Sequence, residues 1–191
     1  MSRQARILLV DDRVENLVAL DAILSPLNQI LVPVQSGEQA LAALRAEEFA
    51  LVLLDILMPG MSGFETATRI KREALTRDVP IIFLTAADPQ PEQAFLGYAA
   101  GGVDYLAKPF DPGVLKAKVA IFVDLYLKAR QLADQLSERV AAVEEAVAEL
   151  RAMPAVSGDA EAAQTAARLA GRVGRVRDAL DALGTEGNLA S

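Results

Sequence analysis

Five short apolar runs punctuate the first 124 residues: Ala5–Val10, Ile30–Val34, Ala50–Leu54, Pro80–Leu84 and Val103–Leu106. Each has the length of a buried strand and is too short for a helix. The stretches between them are longer and amphipathic. Leu17, Leu20, Ile23 and Leu24 recur at helical spacing in the first connector. Ser36-Gly37-Glu38-Gln39 opens the second with a Ser-x-x-Gln capping box. Continuous apolar strands alternating with helices predict βαβ units and a parallel sheet covered on both faces. The fold class is therefore α/β: a flavodoxin-like, doubly wound sheet of strand order 2-1-3-4-5.

After Asp111-Pro112-Gly113 the rhythm changes, and neither Pro nor Gly recurs until Pro154. Leu115, Val119, Phe122 and Tyr126 follow one helical spacing, while Ile121, Val123, Leu125 and Leu127 fall on other faces. One face suffices to dock such a helix on a sheet, so the surplus predicts a second partner surface, a dimer interface. Leu125, Ala129, Leu132, Leu136, Val140, Val143, Val147 and Leu150 then follow a 4-3-4-4-3-4-3 spacing, a coiled-coil seam with one stutter. After the break at Met153–Gly158, Ala166, Leu169, Val173, Val176, Leu180 and Leu183 make a second stripe. It offers the seam an intramolecular mate, as an antiparallel hairpin or as half of a four-helix bundle built from two hairpins. Gly171 and Gly174 each weaken that helix by about 1 kcal/mol relative to Ala. The predicted organisation is a domain over 1–124, a coiled-coil continuation of its last helix over 125–152, a break at 153–158, a second amphipathic helix over 159–184, and a disordered tail over 185–191.

Composition agrees with this division. Eight of the nine aromatic residues precede position 125, whereas 17 of the last 67 residues are Ala. The tail thus reads as helices that pack on something, not as a separate globule. The chain of 191 residues contains no Cys and no His, which excludes thiol nucleophiles, disulfides, Cys- or His-ligated metals and a Ser-His-Asp triad. A net charge of −7 gives no general attraction to nucleic acid. No apolar stretch approaches a membrane span or a signal-peptide core, so a cytoplasmic protein with no membrane partner is expected.

In a doubly wound sheet, ligands bind beyond the carboxyl ends of the strands. The first run ends in Asp11-Asp12, the third in Asp55, the fourth in Thr85, and Lys108 follows the fifth; the second offers only Pro33-Val34-Gln35. Singly, each has a bland reading as a helix cap or a solvated charge. Three carboxylates converging from adjacent strands are another matter, because they repel unless a cation intervenes, and one pKa rises. A hard divalent ion such as Mg²⁺ suits such an oxygen-only set. With Lys108 and Thr85 opposite, the group reads as a receptacle for a phosphoryl group.

Val10-Asp11-Asp12, the segment Asp55-Ile56-Leu57-Met58-Pro59-Gly60-Met61-Ser62-Gly63, Leu84-Thr85-Ala86 and Lys108-Pro109-Phe110 resemble the motifs of a bacterial two-component response-regulator receiver domain. The resemblance covers about residues 5–124 and implies roles residue by residue. Asp55 would be the phosphoacceptor. Asp11, Asp12, Asp55 and the backbone carbonyl of Leu57 would hold Mg²⁺. Lys108 and Thr85 would contact phosphoryl oxygens, Tyr105 would turn inward when Thr85 moves, and Lys108-Pro109 would be cis. Leu57 is expected to hinder an attacking water and lengthen the acyl-phosphate lifetime. Ala86 and Ala87 are small, and the loop Asp88–Glu92 carries two prolines. The implied partners are a sensor histidine kinase or phosphotransfer protein and a second copy of the chain. The implied chemistry is self-phosphorylation from a donor and slow autodephosphorylation.

Two other outputs compete. Thr165–Gly171 with Arg172, Arg175 and Arg177 faintly resembles a helix-turn-helix, which would make the chain a DNA-binding transcriptional regulator; without a second basic helix this is the weaker reading. An RNA-binding output is disfavoured by the short, Ala-rich terminus. The other alternative is a receiver portion of a larger output enzyme.

Overall fold

A computed structural model describes residues 4–85, 102–152 and 160–185. Strands β1 (Arg6–Val10), β2 (Ile30–Val34), β3 (Leu51–Asp55), β4 (Ile81–Thr85) and β5 (Asp104–Ala107) form one parallel sheet in the order β2-β1-β3-β4-β5. This is the order expected from the sequence, with strand limits displaced by a residue. Helices α1 (Val14–Leu24), α2 (Gly37–Ala46) and α3 (Gly63–Arg72) connect β1 to β2, β2 to β3 and β3 to β4. Helix α4 (Pro112–Ala152) follows β5, and α5 (Ala160–Thr185) comes last.

The strand residues divide by parity, as a pleated sheet requires. Leu8, Val10, Val52, Leu54, Ile81 and Phe83 share one core with Ala40, Leu41 and Leu44 of α2 and Ala67 and Ile70 of α3. Ile7, Leu9, Leu51, Leu53, Ile82 and Leu84 share the other with Leu17, Leu20 and Leu24 of α1 and Leu115, Val119 and Val123 of α4. All twelve of these strand side chains are completely buried, which is why their runs show no polar alternation. Pro33, which cannot donate to a ladder, sits on edge strand β2 and is exposed.

Local chemistry fixes where α2 and α3 begin. The Ser36 hydroxyl accepts from the Gln39 amide at 3.2 Å, and the Gln39 side chain reaches back to accept from the Gln35 amide at 2.8 Å. The predicted capping box is thus present, its return bond falling one residue before the cap. Ser62 caps α3 by accepting from the Glu65 amide at 3.2 Å. Gly60 turns the preceding loop with φ +74°.

The chain divides into two compact units at about Leu127. In the first, Leu115, Val119 and Val123 dock α4 on the sheet, and the Tyr126 hydroxyl donates to Glu48 at 3.1 Å. Val114, Ile121 and Leu125 are left exposed. In the second, Val147 of α4 and Ala166 of α5 are buried, and Arg177 pairs with Glu144 at 2.8 Å. Here α5 folds back along α4 as a hairpin. Leu150, Leu180, Leu183 and the break at 153–158 lie outside the described side chains.

Candidate functional site

The register carries the site residues to one edge of the sheet. Val10 pairs with Leu54, so Asp11 is level with Asp55, and Thr85 pairs with Ala107, so Lys108 comes next. Asp11, Asp55 and Thr85 are all buried. The Lys108 amide donates to the Thr85 carbonyl at 2.6 Å, and the Lys108-Pro109 peptide is cis.

Lys108 is the centre of the arrangement. Its Nζ lies 2.7 Å from Asp11 Oδ2 and 2.5 Å from Asp55 Oδ1. The second oxygen of Asp55 accepts from the Leu57 amide at 2.9 Å, so both of its oxygens are held. Burial pushes the Asp55 carboxyl above its usual range against the pull of Lys108, and the charge of Asp11 adds to the rise. Burial alone would lower Lys108, but its bonds to Asp11 and Asp55 outweigh this and hold it above its usual value.

The expected cluster is therefore assembled in part. Asp11, Asp55, Thr85 and Lys108 come together. Asp12 follows Asp11 at the strand end and is half-buried. Among the described residues no three acidic side chains gather closely enough to hold a metal ion unaided. Lys108 is the direct counter-ion of the Asp11–Asp55 pair. The physical reason is that two buried carboxylates need a positive charge, and a long flexible ammonium reaches both. The donors around Asp55 are nevertheless all oxygen, the set a hard divalent cation takes.

Leu57 contributes its backbone to Asp55, and its side chain is 69% exposed beside the site. Tyr105 is half-buried against the core on the α2–α3 side, where its ring stacks on Phe83 at 5.3 Å. Ala86, Ala87 and the loop 88–92 lie outside the described residues.

Asn16 was not singled out from the sequence. Its amide donates to both oxygens of Asp11, at 2.8 and 3.0 Å, while the Arg13 amide donates to Oδ1 at 3.0 Å. The only signal for it is an Asn five residues after Asp11, in the first turn of the helix that follows. Gly63 is equally structural: an added Cβ would lie 2.2 Å from the Asp55 carbonyl oxygen, so the start of α3 presses directly on the end of β3.

Fold and site together define a doubly wound α/β domain with a buried, Lys-bridged pair of carboxylates at the carboxyl edge of its sheet. The sequence profile of the response regulator receiver domain matches residues 7–120, and the chain belongs to that family. It is 33% identical over 172 residues to the response regulator PleD of Caulobacter vibrioides, covering 90% of this chain and 34% of that one. It is 41% identical over 117 residues to a Vibrio cholerae protein named "Probable cyclic di-GMP phosphodiesterase", covering 61% of this chain and 26% of that one. The chain thus spans about a third or less of these relatives. It covers 91% of PilH of Pseudomonas aeruginosa, at 34% identity over 111 residues and 58% of this chain. The solved CheY-like receiver protein of Methanospirillum hungatei superimposes with TM-score 0.60 at 28% identity, over 66% of this chain and 99% of that one. The PleD similarity, longer than the receiver itself, continues into the helical extension.

Proposed function

We propose that Asp55 accepts a phosphoryl group and that the chain is a phosphorylation-controlled switch, paired with a second copy through its helical extension. The observation that carries this reading is the isolated pair Asp11–Asp55, buried at the sheet edge and bridged by Lys108. A carboxylate held by both oxygens, next to a cation, is poised to attack in line. A bond forms between an Asp55 oxygen and phosphorus as the bond to the donor's leaving group breaks. Lys108 then balances charge on the phosphoryl oxygens, and the Thr85 hydroxyl donates to another. Asp11, Asp12, Asp55 and the Leu57 carbonyl would hold Mg²⁺, which supplies charge neutralisation on the transferring group. Asn16 keeps the Asp11 carboxylate oriented toward that set.

The donor class is a sensor histidine kinase or phosphotransfer protein, as the family membership suggests. A cytoplasmic site of action fits the absence, among the described residues, of any helix long and apolar enough to cross a membrane. The exposed Leu57 side chain stands where it would obstruct a hydrolytic water, so Leu57→Asn is expected to speed acyl-phosphate decay. Unchanged decay of isolated phosphoprotein would remove that role.

The test of the main reading is beryllofluoride binding in the presence of Mg²⁺, read by ¹⁹F NMR. Bound resonances are expected for the native chain and none for Asp55→Ala. Bound resonances in both proteins would place the acceptor elsewhere.

A further inference from the structure

Asp11 is more enclosed than the acceptor itself, 0% exposed against 5% for Asp55. Four hydrogen bonds from the described residues converge on its two carboxylate oxygens. Oδ1 accepts from the Arg13 amide at 3.0 Å and from the Asn16 side chain at 2.8 Å. Oδ2 accepts from Asn16 at 3.0 Å and from Lys108 at 2.7 Å. One neutral amide nitrogen therefore spans the whole carboxylate, and each oxygen has one further donor of its own.

The two side-chain donors are held in different ways. Asn16 lies in the first turn of α1, where its backbone amide donates to the Arg13 carbonyl at 3.0 Å. Leu17, the next residue, is buried with Leu20 and Leu24 against the sheet, so that turn is fixed beside Asp11. Lys108 instead reaches Asp11 along a flexible four-carbon stem and divides its ammonium between Asp11 and Asp55. A mobile point charge can follow a new anion, whereas an amide on a docked helical turn stays where it is.

The kind of donor matters as much as its place. A second ammonium or a guanidinium beside Asp11 would neutralise it and repel an incoming cation. An amide satisfies the hydrogen bonds a buried carboxylate requires and leaves its negative charge intact. We infer that Asn16 is the permanent partner of Asp11 and Lys108 the exchangeable one, and that Asn16 thereby sets the affinity of the site for its divalent cation. It is a positioning residue: it keeps Asp11 in place when Lys108 turns to the phosphoryl group. The inference rests on the proposed Mg²⁺ and phosphoryl site and adds to it a residue outside the ligand set.

The test uses Mn²⁺ as the probe, with binding to the full-length chain read from the loss of the free-ion electron paramagnetic resonance signal. Asn16→Ala is expected to bind Mn²⁺ about tenfold more weakly than the native chain, the lower end of the usual effect of removing a group that orients a metal ligand. Asn16→Gln, which keeps a neutral donor on a longer arm, is expected to fall between the two. At saturating Mg²⁺, Asn16→Ala is expected to bind beryllofluoride with native affinity by ¹⁹F NMR, because Asp11 then has the cation as a second partner. A merely structural defect would weaken both ligands and would not be repaired by metal; circular dichroism selects a temperature at which the variants are folded. Native Mn²⁺ affinity in Asn16→Ala overturns the inference. Beryllofluoride binding that stays weak at saturating Mg²⁺ also overturns it, since Asn16 would then act on the acceptor and not on the metal ligand. A native chain that binds no Mn²⁺ removes the metal reading itself, so the two failures are told apart by the protein in which they occur.

Discussion

Asp55 shows what a functional carboxylate costs the fold. It is buried beside Asp11, and Lys108 only partly offsets its loss of water. A carboxyl whose folded pKa is raised binds protons more readily folded than unfolded, so its ionised form opposes folding at neutral pH. Asp55→Asn is therefore expected to raise the thermal midpoint by roughly 2–8 °C, about 1 kcal/mol for a domain of this size, while abolishing phosphoryl acceptance. Calorimetry without phosphodonor checks the first, and an alkali-labile label acquired from a phosphodonor by the native chain and not by Asp55→Asn checks the second. Gly63 sits at the opposite extreme. Gly63→Ala drives a methyl group into the Asp55 carbonyl oxygen, which backbone cannot yield cheaply. A loss of about 1–3 kcal/mol in urea unfolding is expected. Asn16→Ala should cost about 1–3 kcal/mol in urea unfolding and slow phosphorylation, because the buried Asp11 carboxylate loses two of its bonds.

At the scale of elements, the caps of α2 and α3 are neighbours although 26 residues separate Ser36 from Ser62. A Cβ on Gly37 at the start of α2 would meet Thr66 Oγ1 of α3 at 2.2 Å, so the two helix starts touch. Ser36→Ala and Ser62→Ala should each cost about 1 kcal/mol. The double variant should depart measurably from their sum, which a urea double-mutant cycle reads. Arg45, in the last turn of α2, pairs with Glu73, the residue closing α3. The hydrogen bond from Arg45 holds the Glu73 carboxyl below its usual range. A depressed carboxyl stabilises above its unfolded pKa and loses that contribution as pH falls through its folded pKa. Glu73→Gln should thus be slightly less stable than the native chain at pH 7 and indistinguishable from it once the pH is below that range. The effect is small because Arg45 is exposed and Glu73 is partly open to solvent, which screens the pair.

At the scale of the whole molecule, the two units are held by different means. The receiver closes two cores on one sheet, whereas the described residues of the second unit leave Leu132, Leu136, Val143, Leu169 and Val176 exposed. Under the proposed pairing of copies, association is what covers these side chains. Thermal unfolding is expected in two transitions: one rising with protein concentration and belonging to the extension, the other independent of concentration. Scans over a hundredfold concentration range, followed by helical circular dichroism, separate them.

The fold was legible because its signal is repeated: twelve strand side chains buried on two faces impose continuous apolar runs, and parity then assigns each to a core. The residues meeting at the strand ends were legible for the same reason, since Asp11, Asp55, Thr85 and Lys108 close four of the five runs. The amphipathic stripe of α4 was visible too, but periodicity is local and says nothing of which partner covers it. Only tertiary structure decided that Lys108 bridges both carboxylates, that Asn16 steadies Asp11, and that Glu144 meets Arg177. Each of these joins residues by side-chain reach across the fold, and no spacing along a chain encodes reach. By itself the sequence determined where burial must occur and which chemical groups stand at the strand ends; packing determined which of those groups touch.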